Sequence, residues 1–208
     1  MDAHDSHRIE SLEDLRAVMG EPHSMTSVKL WSKLEPAAID FIKASPFLLL
    51  STADKLGNQD VSPKGDGPGF VAVENENTIL IPDRKGNRLL FGLQNILENP
   101  HVGIIFLLPG TDETLRANGR AELTLDPDAL KRLSARGQPA LVAIRVRVDQ
   151  CFFHCAKAFR RSRLWQADSW PPRQKISFGQ MFAAKLGGGD QLAARIDAGI
   201  EEDYKNNL

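Results

Sequence analysis

Arg84, Lys85 and Arg88 crowd a glycine-bearing loop that follows the strand-like run Leu80-Ile81-Pro82-Asp83, and this grouping suits the capture of a phosphate. Free backbone N–H groups at a helix N-terminus point at an anion and the helix dipole favours it. Guanidinium and ammonium groups add charge and donors. The same residues also make an ordinary solvated basic turn, and the motif alone does not choose between the two. Leu89, Leu90, Leu93, Ile96 and Leu97 then recur at helical spacing, so residues 87–98 are expected to form the helix, closed by Asn99-Pro100.

The two cysteines offer other chemistry, in Cys151-Phe152-Phe153-His154-Cys155. In an extended chain they lie roughly 13 Å apart at about 3.3 Å per residue, too far for a disulfide, so free thiols are expected. Two cysteines and one histidine fall short of a metal's usual ligand set, so no metal is assigned and small core cysteines are the plainer expectation. In such a strand Cys151, Phe153 and Cys155 share one face, Phe152 and His154 the other. Lys157, Arg160, Arg161 and Arg163 follow beside Trp165, either a solvated face or stacking material. Gly187-Gly188-Gly189 lacks the Lys-Ser/Thr of a phosphate-binding P-loop and is expected to be a turn.

The elements that must position these groups are mostly strands. Ser11 to Gly20 has the start, acidic first turn and glycine stop of a helix, and Pro36 to Ala44 has proline at the first helical position. Residues 46–52 are expected to be a buried strand, 54–58 a turn and 59–62 its returning partner. Ser62 to Phe70, rich in proline and glycine, is expected to leave the ladder. Residues 70–73 and 78–81 form a further hairpin. Val102 to Leu108 is continuously apolar, as for a strand buried on both faces, and Glu113 to Leu125 pairs with it, Gly119 marking a bulge or bend. Asp126 to Gly137 is expected to be a helix capped by Asp126, and Ala140 to Val148 a strand with one wet face. Helices are expected at 177–186 and 191–200. Six or seven strands with few helices between them favour a barrel in a mainly β, α+β fold.

The 208 residues carry 26 basic and 27 acidic side chains, a formal net charge of −1. That balance gives no electrostatic case for nucleic acid or an anionic membrane surface. No apolar stretch reaches the roughly 18 residues of a membrane span, and Met1 to Glu10 lacks the apolar region of a signal peptide. A cytoplasmic protein is expected.

Taken in order, the strand hairpin, Ser62-Pro63-Lys64-Gly65-Asp66, the cationic loop, the Asn-Pro-closed helix, the buried strand and Glu113 to Ala121 resemble the pyridoxamine 5′-phosphate oxidase-like flavoproteins. The likeness is stronger to the FMN-dependent enzymes of that class, in which segments similar to these and to Phe153-His154-Cys155-Ala156-Lys157 occur. It covers residues 30–175. The resemblance implies an FMN-binding split β-barrel that forms a homodimer, with flavin mononucleotide (FMN) in a groove between subunits. It divides the chain into an N-terminal helical extension (1–30), a flavin-binding barrel (31–175) and a C-terminal helical extension (176–208).

Position by position, Arg84 and Lys85 match the pair that contacts the FMN phosphate, with Asn87 and Arg88 extending that contact. Ser62, Pro63 and Lys64 match the strand lining the flavin, Thr114 falls where oxidases carry a glutamine near the ring, and Asn95 matches an asparagine of the helix. The relatives place their cations about two turns nearer the Asn-Pro, where this chain has Phe91-Gly92, so the phosphate would be met from a loop before a longer helix. The Arg-x-His-Asp-Arg segment that the oxidases use on substrate is absent.

An oxidoreductase moving hydride between FMN and a small organic or nicotinamide substrate is therefore expected. Lys64 or Lys157 would stabilise the reduced ring's charge and His154 would exchange a proton. His154 and Lys157 are the catalytic candidates, each equally able to be structural. The His154–Trp170 segment is expected to wall the substrate pocket of the partner subunit. A non-catalytic flavin- or haem-related binding module and a deazaflavin-dependent relative are the alternatives.

Overall fold

The computed structural model describes residues 7–206. Seven strands form one antiparallel sheet in the order β2-β1-β5-β6-β7-β4-β3. They are β1 (Phe47–Ala53), β2 (Gln59–Gly65), β3 (Ala72–Asn75), β4 (Thr78–Asp83), β5 (His101–Leu107), β6 (Thr114–Thr124) and β7 (Val142–His154). The helices are α1 (Leu12–Met19), α2 (Pro36–Ala44), α3 (Phe91–Glu98), α4 (Pro127–Arg132), α5 (Lys157–Ser162), α6 (Phe178–Leu186) and α7 (Asp190–Asn206).

The sheet coils on itself. In ladder order β2 and β4 are five strands apart, yet Lys64 of β2 makes an ion pair with Asp83 of β4. No ladder joins β2 to β3, which leaves the barrel split there. Inside it, Leu48 and Leu50 of β1, Ile79 and Ile81 of β4, Ile104 and Phe106 of β5, Leu115 and Ala117 of β6, and Ile144 and Val146 of β7 are buried in one cluster. Each strand supplies alternate residues, as the two-residue period of a strand requires. Helix α2 closes one side through Ala38 and Ile42.

Several expectations hold. Ser11 caps α1 through a 3.0 Å bond from Asp14 N–H, Gly20 ends it with φ 74°, and α2 has the expected bounds. The β6–β7 register shifts at Gly119, where Asn118 faces Gln150 and Gly119 faces Val148, leaving Asp149 as the bulged residue. Arg147 O stands only 2.0 Å from where a Cβ on Gly119 would lie.

Other expectations are corrected. β5 is fully buried on one face only: Val102, Ile104 and Phe106 are buried, whereas Gly103, Ile105 and Leu107 on the outer face are half-buried. The strand buried on both faces is β4, where Leu80 is sealed from outside by Ala129 and Leu133 of the α4 segment. Ser62 to Gly65 stay in the ladder with β1, since β2 is an edge strand where the missing N–H of Pro63 costs little. The helix expected over 126–137 ends at Arg132, and Leu133 O is taken by the Arg84 guanidinium at 3.0 Å. Helix α7 extends beyond Ile200 to Asn206. Only Cys151 is a core cysteine, and its burial pushes the thiol pKa up to about 12; Cys155 is exposed.

Helix α3 starts at Phe91 rather than residue 87. Asn87 Oδ1 accepts the Leu89 N–H at 3.0 Å, and Arg88 and Leu90 both adopt left-handed backbone, φ 61° and 59°. Neither the side-chain turn nor the left-handed residues are compatible with a continuing helix. The loop is longer than the sequence spacing suggests and the helix is shorter.

Candidate functional site

The cationic loop forms one wall of a cleft of about 940 Å³. The other walls are β2 from Asp60 to Gly65, the end of β4, the first turn of α3 and the start of β7. The size lies within the range of roughly 300–1,000 Å³ in which small ligands and cofactors are held. Four cations, Lys64, Arg84, Lys85 and Arg88, line it against two carboxylates, Asp60 and Asp83.

Their positions are not equivalent. Lys64 is largely shielded and pairs with Asp83 across the split. Arg84 donates through Nε to Asp66 Oδ2 at 2.8 Å and through its terminal nitrogen to Leu133 O at 3.0 Å, so it ties the loop to the barrel and to α4. Arg136 adds a second cation 3.8 Å from Asp66. Lys85, Gly86, Asn87 and Arg88 are exposed at the cleft mouth. Two non-glycine residues in left-handed backbone, Arg88 and Leu90, two positions apart, store strain of about 1–3 kcal/mol each, which the surrounding contacts must hold. Such strain concentrates at ligand-binding loops.

The floor is polar. Asp60 and Ser62, alternate residues on one face of β2, hydrogen-bond at 2.6 Å. Asn95 of α3 donates to Thr52 Oγ1 of β1 at 3.1 Å, and Thr52 is buried. A Cβ on Gly92 would come 3.3 Å from Asp60 Oδ2 and 3.5 Å from Ser62 Oγ, so glycine lets the first turn of α3 lie close on this floor. The positive end of α3, which has no side-chain cap, faces this carboxylate.

Of the candidates from sequence, the structure brings Ser62, Pro63, Lys64, Arg84, Lys85, Asn87 and Arg88 together around the cleft. Asn95 stands behind it, bonded to Thr52. Thr114, His154 and Lys157 are outside this cleft of their own chain. Thr114 is buried and faces His154 across the β6–β7 ladder, and Lys157 is the exposed first residue of α5. Burial first, then the charges of Arg116 and Lys29, hold His154 below the ordinary imidazole value. The segment after it is tied down: Trp165 stacks on Phe159 at 5.7 Å and donates to Thr111 O, and Arg160 pairs with Asp112 at 3.1 Å.

The carboxylates were missed. Asp83 adjoins Arg84, and Asp60 lies two residues before Ser62 on the same strand face, so alternation along β2 was the available signal for Asp60. Asp66 had none, since its partners lie 18 and 70 positions away. Among the described residues no group of three His, Cys, Asp or Glu is placed to hold a metal ion, and no helix is long and apolar enough to cross a membrane.

Comparison with known proteins places the chain. Residues 34–155 match the family described as pyridoxamine 5′-phosphate oxidase, and the chain belongs to that family. No curated protein matches it. Solved structures with similar folds include HupZ of Group A Streptococcus, at 18% identity over 57% of this chain and 92% of that one, with a TM-score of 0.47. An FMN-binding protein from Syntrophomonas wolfei subsp. wolfei is 14% identical over 56% and 81% of the two chains, with a TM-score of 0.43. A Clostridium acetobutylicum protein of the pyridoxinephosphate oxidase family, related to general stress protein 26, is 12% identical over 55% and 83%, with a TM-score of 0.41.

Proposed function

We propose that this member of the pyridoxamine 5′-phosphate oxidase family is a dimeric FMN-dependent oxidoreductase acting on a small organic or nicotinamide substrate. The observation that carries the reading is the cleft itself, with Lys85 and Arg88 at its mouth beside a strained loop and the polar β2 floor behind. These groups fit FMN: cations and loop N–H groups for the phosphate, and hydroxyl, carboxylate and amide groups of the floor for the ribityl chain. Bound there, FMN would supply two-electron hydride chemistry. Arg84 orients the loop, Lys64 and Asp83 close the split, and Ser62 with Asp60 offers hydrogen bonds to a polyhydroxyl chain.

FMN is expected to bind much more tightly than riboflavin. Each charge-assisted bond to phosphate contributes about 1.5–3 kcal/mol. Fluorescence titration of both flavins tests this, and equal affinities would remove the phosphate site. Steady-state oxidation of NADH or NADPH by the FMN-loaded protein separates an enzyme from a binding module.

The dimer reading rests on the outer face of β1, β2 and β5. Phe47 is 37% exposed and Val61 58%, and Leu49 is paired directly with half-buried Ile105. Such a contiguous apolar face suits a self-complementary contact. Ile105→Asp is expected to convert the dimer to monomer in sedimentation and to release FMN with it. A parent protein that sediments as a monomer at micromolar concentration while holding FMN stoichiometrically would contradict the placement at an interface.

A further inference from the structure

Of the two carboxylates that line the cleft, Asp83 is paired with Lys64 and Asp60 is not paired with any cation. Asp60 is half-buried in β2, directly across the ladder from buried Thr52 of β1. Its Oδ2 accepts the Ser62 hydroxyl at 2.6 Å, and among the described residues no cation lies within ion-pair distance of it. Alternation along β2 turns Asp60, Ser62 and Lys64 to one side of the strand, and all three line the cleft. Asp60 Oδ2, Ser62 Oγ and Thr52 Oγ1 stand 3.3, 3.5 and 3.7 Å from where a Cβ on Gly92 would lie, so three oxygens gather under the first turn of α3. The cleft is therefore divided by charge. Lys85 and Arg88 are exposed at its mouth, while a carboxylate held by a neutral hydroxyl occupies its floor.

We propose that Asp60 is a specificity-determining residue of this cleft: its carboxylate admits hydroxyl groups to the floor and turns anionic groups away, so that a ligand's phosphate is left to the mouth. This role rests on the cofactor reading of the same cleft. A neutral residue at this position would leave the floor attractive to an anion, because the uncapped first turn of α3 brings free N–H groups and its positive end close to the Ser62 and Thr52 hydroxyls. Asp60 places its own negative charge there instead. Like charges set against each other in a cleft discriminate strongly against the wrong group. A hydroxyl meets the opposite situation. An ionised carboxylate has about four lone-pair sites, Ser62 uses one, and hydrogen bonds to a charged acceptor are the stronger kind.

The test is Asp60→Asn in the full chain without flavin, which keeps the shape and an acceptor for Ser62 while removing the charge. Calorimetric titration with inorganic phosphate is expected to show binding at least about tenfold tighter than in the parent. Fluorescence titration with riboflavin should show binding several-fold weaker, because the hydroxyls lose a charged acceptor. Opposite signs separate this role from a carboxylate that merely steadies α3, whose loss lowers the melting temperature and moves both affinities together. In Lys85→Ala/Arg88→Ala the mouth no longer holds phosphate, and adding Asp60→Asn should restore binding, now on the floor. Should Asp60→Asn not fold, Asp60→Ser, also neutral and smaller, carries the comparison. Phosphate affinity that Asp60→Asn leaves unchanged or lowers overturns the role, and so does a gain that vanishes in the Lys85→Ala/Arg88→Ala background, since the floor then takes no anion. A parent that binds FMN no better than riboflavin removes the phosphate site at the mouth and this role with it. A parent that prefers FMN, while Asp60→Asn gains no phosphate, removes only the role of Asp60.

Discussion

Lys85→Ala/Arg88→Ala is expected to weaken FMN by about two orders of magnitude while leaving the melting temperature of ligand-free protein nearly unchanged. Two charge-assisted phosphate bonds at about 1.5–3 kcal/mol each correspond to roughly 10²- to 10⁴-fold. The low end applies because both side chains are exposed at the cleft mouth, where solvent screens them. Arg84→Ala should behave in the opposite way. Its bonds to Asp66 and Leu133 O hold the loop to the barrel and to the α4 segment, so its loss should lower the melting temperature even without ligand. The family resemblance groups Arg84 with Lys85 as a phosphate pair; in the structure Arg84 anchors the loop while Lys85 is exposed at the cleft mouth. Fluorescence titration and thermal melts of the three proteins check the division. Unchanged FMN affinity in the double variant would sink the phosphate reading.

What was legible in the sequence was local. Ser11 and Gly20 bound α1, Pro36 opens α2, and alternating apolar residues announce the β7 face, because each signal is carried by neighbours in the chain. The cationic loop was legible as a concentration of charge. Its conformation was not, since Asn87 captures a backbone N–H and two non-glycine residues turn left-handed where helical spacing of the leucines suggests a helix. Leu89, Leu90 and Leu97 keep that spacing and yet are all exposed.

Contacts set by topology were not legible at all. Lys64 meets Asp83 only because the sheet coils until strands five apart in the ladder touch. The two faces of β5 look alike in sequence, and only the coiling of the sheet decides which one faces the core. The same holds for Arg116, an unremarked residue of a strand until the Trp31 segment brings Lys29 over the Phe152 ring that Arg116 also faces.

Gly119→Ala is expected to cost about 3 kcal/mol or more, because the added methyl meets backbone rather than a side chain that can swing aside. The three nearest atoms are Arg147 O at 2.0 Å, Arg147 C at 2.9 Å and Val148 Cα at 3.1 Å, all in the strand paired with it. The ladder must part at the bulge. For a chain of this length the loss corresponds to a fall of roughly 6–12 °C in melting temperature. Gly67→Ala, with open space around it and no left-handed backbone, should stay within about 0.5 kcal/mol and serves as the control. The bulge also has a consequence for chemistry. Before it, Ile144, Val146 and Val148 point into the core; after it, Cys151 and Phe153 do, so Asp149 shifts the strand's phase by one residue. That shift is what turns Phe152 and His154 outward beside Arg116. Gly119→Ala should therefore disturb the placement of this outer face along with stability, whereas Gly67→Ala should disturb neither. A Gly119→Ala protein that melts within about 2 °C of the parent would mean that the two strands separate there at little cost, and that the bulge does not fix the outer face.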